Sequence, residues 1–158
     1  MEQTKFTAEK ISRTAEIILN GNIEKVFPLF GAFEERKWAE GWDPVLIFPS
    51  KEIIEEGTSF KTQGHENIEE EYFWIITKFD PQEYLIQYLV SAENRYWTIT
   101  IKCEPSGDNQ ALSTITYSYY GLNEHGKMLN EHSLNSMFRH NLKDWEEGIN
   151  NYLGNLNL

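Results

Sequence analysis

Four histidines, a single cysteine and one strand-borne acid and base are the side chains of this chain with the chemistry to hold a metal or move a proton. His125 and His132 stand seven residues apart, nearly on one helical face. A rise of ~10 Å separates them, too far to share a metal ion without other ligands. His140 faces elsewhere, and His65-Glu66 lies in a loop, where surface exposure accounts for it. With no His-Glu-x-x-His and no paired cysteines, the sequence points to no metal site. It points to no covalent nucleophile either. Gly-x-Ser-x-Gly is absent, Cys103 has no activating neighbour, and no glycine-rich phosphate loop occurs. Glu16 and Arg95 would form an acid-base or anion-binding pair only if the sheet turned both inward, and exposed strand charges are the commoner arrangement. The residues name no catalytic group and imply no cofactor.

Aromatic side chains carry the stronger signal, which is for binding. Trp38 and Trp42, four apart, share a face if their segment is helical. They would form either the mouth of a cavity or a plug between short helices and the sheet edge. Tyr88, Trp97, Tyr117 and Tyr119 fall on one strand face, each offering an apolar ring and most a hydroxyl that could orient a ligand. A filled core would use the same residues. Polar tips facing inward nevertheless need partners, which a ligand or trapped water would supply. Met137 and Phe138 complete this ligand-binding set from a helix, while Phe60 and Phe73 read as packing.

The elements that must position these residues follow from periodicity. Ile11 to Leu19 alternates as a half-buried strand, broken by Asn20-Gly21-Asn22. Asn22 caps a short helix with Ile23, Val26, Phe27 and Phe30 at helical spacing, and Glu34 to Glu40 forms a second short turn ending at Gly41. Pro44 to Pro49 and Thr58 to Thr62 read as short strands. Tyr72 to Phe79 and Tyr84 to Ser91 flank the turn Asp80-Pro81-Gln82-Glu83. Pairing Phe79 with Tyr84 turns Phe73, Ile75 and Thr77 inward with Ile86, Tyr88 and Val90. Turns at Glu93-Asn94 and Pro105 to Asn109 then add Trp97, Ile99, Ile101, Ile115, Tyr117 and Tyr119 to that face. One amphipathic helix, about Glu124 to Leu153, carries Leu134, Phe138, Leu142, Trp145 and Ile149 on its apolar side and ends at Gly154. This order predicts an α+β fold, a curved antiparallel sheet wrapped around its last helix with a cavity between the layers.

Length and charge narrow the partners. The 158 residues suit one domain with a substantial core. A formal net charge of -11 repels polyanions, so neither nucleic acid nor stable membrane association is expected. The runs Glu55-Glu56 and Glu69-Glu70-Glu71 read as solvated surface. Lone Cys103 lies in an alternating strand and cannot form an intramolecular disulfide, and neither a signal-peptide stretch nor ~18 consecutive apolar residues occurs. The expectation is a cytoplasmic protein.

The run Val26-Phe27-Pro28-Leu29-Phe30-Gly31, then Glu35-Arg36-Lys37-Trp38-Ala39-Glu40-Gly41-Trp42-Asp43-Pro44, and later Phe79-Asp80-Pro81, resembles an uncharacterised bacterial subgroup of the START-like superfamily, also called SRPBCC or Bet v 1-like. Polyketide cyclase and lipid-transport families are relatives. The resemblance spans nearly the whole chain and so implies a single domain over 1–158. It implies a helix-grip fold and a hydrophobic cavity of the kind used for lipids, hormones or polyketides. It does not imply one activity. The leading expectation is binding of a small hydrophobic or amphipathic molecule between the sheet and the C-terminal helix. One alternative is a cyclase, dehydratase or hydrolase-like enzyme using the same cavity. Another is a protein-interaction module of the chaperone-activator type, with a collapsed cavity. The sequence identifies no protein partner and no oligomeric state.

Overall fold

The computed structural model describes residues 6–64 and 69–156, so His65-Glu66 lies outside the described residues. Seven strands form one antiparallel sheet: β1 Lys10–Leu19, β2 Val45–Phe48, β3 Ser59–Gln63, β4 Glu71–Asp80, β5 Leu85–Ser91, β6 Arg95–Pro105 and β7 Ala111–Gly121. Their spatial order is β1-β7-β6-β5-β4-β3-β2. The first strand thus pairs with the last, as a sheet curling round a helix requires. The alternation in β1 buries Ala15, Ile17 and Leu19. Asn22 then stops the strand and caps α1 (Ile23–Val26), its Oδ1 accepting from the Glu24 N–H at 2.8 Å. Two 3-10 turns, Phe27–Phe30 and Glu34–Lys37, carry the chain to β2.

The inner face of β5, β6 and β7 matches the expected one. Val90 pairs with Trp97, Trp97 with Tyr119, Ile99 with Tyr117 and Ile101 with Ile115, all buried. The β4–β5 hairpin differs in register. Its turn takes Pro81 to Tyr84, Tyr84 adopts a left-handed φ of 54°, and Phe79 meets Ile86 instead of Tyr84. That two-residue shift keeps the faces, and a bulge between Ile76 and Lys78 then exchanges them. Tyr72, Trp74 and Ile76 consequently face inward, and Phe73 is 40% exposed. Tyr72-Phe73-Trp74-Ile75-Ile76 is apolar on both parities, so the three-residue step from Ile76 to Phe79 is masked, and alternation alone turns Phe73, Ile75 and Thr77 inward.

Two helices close the structure, α2 (Glu124–Met137) and α3 (Lys143–Asn155), where the sequence predicts one. The break carries left-handed Asn141 (φ 51°) and Leu142 (φ 59°). Such a conformation costs ~1–2 kcal/mol per residue, which burial of Leu142 to 1% exposure offsets. Leu134, Phe138 and Leu142 are all buried, so the four-residue apolar step runs straight through the break and hides it. Gly154 lies inside α3, not beyond its end. Among the described residues, no helix is long and apolar enough to cross a membrane.

Candidate functional site

Two chambers separate the concave sheet face from the closing helices. The first, about 420 Å³, is lined by Tyr72, Arg95, Trp97 and Tyr119 from the sheet and by Leu129, His132, Ser133, Ser136 and Met137 from α2. The second, about 480 Å³, lies between Glu35, Trp38 and Trp42 on one side and Asp144 and Trp145 of α3 on the other, over Tyr88 and Ile101. Trp74, Ile99 and Tyr117 border both chambers. These three side chains form the partition.

Of the aromatic residues expected to bind a ligand, Trp38, Trp42 and Tyr88 reach the second chamber, Trp97 and Tyr119 the first, and Tyr117 both; Met137 also lines the first. Phe138 does not line either. It is buried, with its ring edge-on to Tyr117 at 5.7 Å. The two tryptophans are fixed through their indole nitrogens. Trp38 Nε1 donates to the Leu29 carbonyl at 2.7 Å and Trp42 Nε1 to the Ala32 carbonyl at 2.6 Å, so the indole N–H groups anchor the loop while the rings face the cavity. Tyr88 donates its hydroxyl to the Phe30 carbonyl at 2.7 Å. The Tyr117 and Tyr119 hydroxyls make no hydrogen bond among the described residues. Burial holds both phenols above their usual range.

Arg95 departs from its expected surface position. Residues 95, 97, 99 and 101 share one strand face, and Arg95 follows that parity inward to 3% exposure. Its guanidinium contacts Glu69 at two points, Nη2 to Oε1 at 2.5 Å and Nε to Oε2 at 3.1 Å. It also donates from Nη1 to Ser133 Oγ at 2.7 Å and to the Leu129 carbonyl at 3.2 Å, and it lies 4.7 Å from the centre of the Trp97 ring. Glu69, expected in a solvated run, is buried and also accepts from the Tyr72 hydroxyl at 2.9 Å. Burial and that bond push Tyr72 up to about 12. Glu16 remains exposed on β1, so it forms no pair with Arg95.

Glu35 is the residue sequence reasoning missed. It is half-buried at the second chamber, where desolvation holds its carboxyl well above the usual range, and its side chain has no hydrogen-bond or ion-pair partner among the described residues. Its neighbours Glu34, Arg36 and Lys37 look the same in sequence, and no local pattern sets it apart. Among the described residues, no group of three or more His, Cys, Asp and Glu is placed to hold a metal. His125 is exposed on α2, His132 reaches the first chamber and His140 lies near the helix break.

No protein-family model and no curated protein matches the sequence. Solved structures do match. Norcoclaurine synthase from Thalictrum flavum is 12% identical with a TM-score of 0.69, over 97% of this chain and 98% of that one. A conserved protein from Geobacillus kaustophilus is 18% identical with a TM-score of 0.64, over 92% and 96%. Ara h 8.0201 is 13% identical with a TM-score of 0.63, over 89% and 98%. The fold is a helix-grip fold, a curved antiparallel sheet closed by C-terminal helices, shared with these solved structures. At these identities the likeness establishes architecture, and the chemistry must be argued from this chain's own side chains.

Proposed function

We propose that this protein binds a small amphipathic molecule, mostly apolar, across the two chambers between the sheet and the closing helices. The observation that carries this reading is Tyr117, which is 5% exposed, borders both chambers and presents a hydroxyl without a hydrogen-bond partner. That hydroxyl opens onto the chambers, where a bound ligand could take the place of water in accepting from it or donating to it. Apolar burial supplies affinity and the few inward polar groups set orientation. The lone buried Cys103 supports a reducing, cytoplasmic setting. Titration with prodan, a neutral solvatochromic naphthalene, tests the reading. Saturable one-to-one binding with a blue shift is expected, and unsaturable or absent binding overturns it.

A proton-transferring enzyme is the second reading, favoured by Glu35 beside Tyr88 and Tyr117. Its charge raises the pKa of both phenols, after burial as the larger cause. A carboxyl held above its usual range is suited to general acid or base work near neutrality. Turnover whose pH profile disappears in Tyr117→Phe would favour it over a carrier. The protein-interaction reading expects a collapsed cavity, and chambers of about 420 and 480 Å³ weigh against it.

A further inference from the structure

We propose that the second chamber receives an organic cation, a tertiary or quaternary ammonium group attached to the apolar body of the ligand, held by aromatic rings and Glu35. The proposal rests on the cavity being a ligand site and adds the chemical class of its occupant.

The charges around the chamber are of one sign. Glu35 lies inside and Glu40 and Asp144 stand exposed at its rim, while no lysine, arginine or histidine lines it. Nearby bases are already engaged: Arg36 pairs with Glu52 at 2.9 Å, Lys37 with Glu34 at 2.5 Å and Lys143 with Glu146 at 2.8 Å. Glu35 has none of these partners. The first chamber is different, because Glu69 neutralises Arg95 there. A ligand with one charged end and one apolar end is therefore matched by the second chamber at its charged end.

The walls favour the same occupant. Trp38, Trp42, Trp74 and Trp145 surround the space with Tyr88 and Tyr117. Aromatic faces carry negative quadrupole charge and attract cations, more strongly when water is excluded. The Trp38 and Trp42 N–H edges, which would repel a cation, are turned onto backbone carbonyls. A primary ammonium needs three hydrogen-bond acceptors placed around it, whereas this chamber is walled mainly by rings. An alkylated ammonium needs few or none, so this wall of rings suits it better.

Glu35 faces Tyr88 from β5 and Tyr117 from β7, with Glu40 on its own loop and Asp144 on α3. Desolvation keeps the Glu35 carboxyl protonated to a higher pH than an ordinary one. A permanent cation should thus bind more tightly as pH rises through that titration.

Displacement of prodan by phenyltrimethylammonium and by its neutral isostere tert-butylbenzene tests the proposal, because the two differ in charge and hardly in shape. At pH 8 the cation should displace prodan at a concentration at least tenfold lower than the isostere. That ratio should shrink as pH falls, and in Glu35→Gln it should drop to within about threefold at every pH. Circular dichroism and thermal melting establish that the variant is folded. Prodan binding with no preference for the cation overturns the cation site while leaving the hydrophobic cavity in place. A preference that survives Glu35→Gln overturns the role of Glu35. Failure of prodan and of both displacers to bind overturns the cavity reading and the cation site together.

Discussion

The Arg95 guanidinium and the Glu69 carboxylate meet at two points, 2.5 and 3.1 Å, with each side chain only 3% exposed. The pair joins β6 to the segment before β4, and the Arg95 bonds to Leu129 and Ser133 extend the link to α2. Removing one partner leaves a buried charge unpaired, an effect of about 3–5 kcal/mol. Glu69→Gln should lose about 3 kcal/mol in urea unfolding, and Glu69→Gln with Arg95→Met should recover most of it. A single variant within 0.5 kcal/mol of wild type would contradict this role.

Glu35 imposes a pH dependence of the opposite sign to an ion-paired carboxylate. Its folded pKa is raised by burial. Below the ordinary carboxylate value of ~4.3 both states are protonated and its contribution to stability is complete. As pH rises the unfolded chain ionises first, so stability falls until the folded pKa is passed. Glu35→Gln should therefore melt above wild type at pH 8, with the difference shrinking toward pH 4. Equal melting curves at pH 8 would contradict the buried placement.

Gly126 sits where α2 starts against the turn between β5 and β6. A Cβ there would lie 1.9 Å from the Asn94 carbonyl oxygen, which already accepts from the Leu122 N–H. Gly154, inside α3, has nothing within 4 Å of its Cβ position. Gly126→Ala should destabilise by about 2 kcal/mol or more as backbone is displaced. Gly154→Ala should stabilise by about 0.5–1 kcal/mol through helix propensity. Thermal unfolding of the two variants side by side checks both signs.

How far these features were legible in the sequence depends on how far each leaves a period. The inner face of β5 to β7 repeats every second residue and was read correctly through Trp97, Ile99, Tyr117 and Tyr119. The same alternation carries Arg95 inward, but a charge on a strand argues for solvent unless its partner is known. That partner, Glu69, sits in an acidic run with nothing to mark it. The break between α2 and α3 leaves the apolar spacing of Leu134, Phe138 and Leu142 intact, and the bulge in β4 is masked by a run that is apolar on both faces. Glu35 depends on how a 3-10 turn is rolled against Tyr88 and Tyr117, a tertiary relationship with no local signature.

The partition between the chambers gives a way to block binding without touching a polar group. Ile99 is buried and borders both spaces. Ile99→Phe extends into existing void, so the overpacking cost of ~1–3 kcal/mol seen in filled cores should be largely avoided. Prodan affinity should fall at least tenfold with a melting temperature within a few degrees of wild type, as fluorescence titration and calorimetry would show. Unchanged affinity would place the probe elsewhere.

The most direct measurement is native mass spectrometry of the protein with prodan, repeated on Ile99→Phe and after denaturation. Ligand binding between the sheet and the closing helices predicts a one-to-one complex for wild type that disappears on denaturation and is greatly reduced in Ile99→Phe. Bare protein alone in the native wild-type spectrum, or an equally populated complex in the variant, would contradict it.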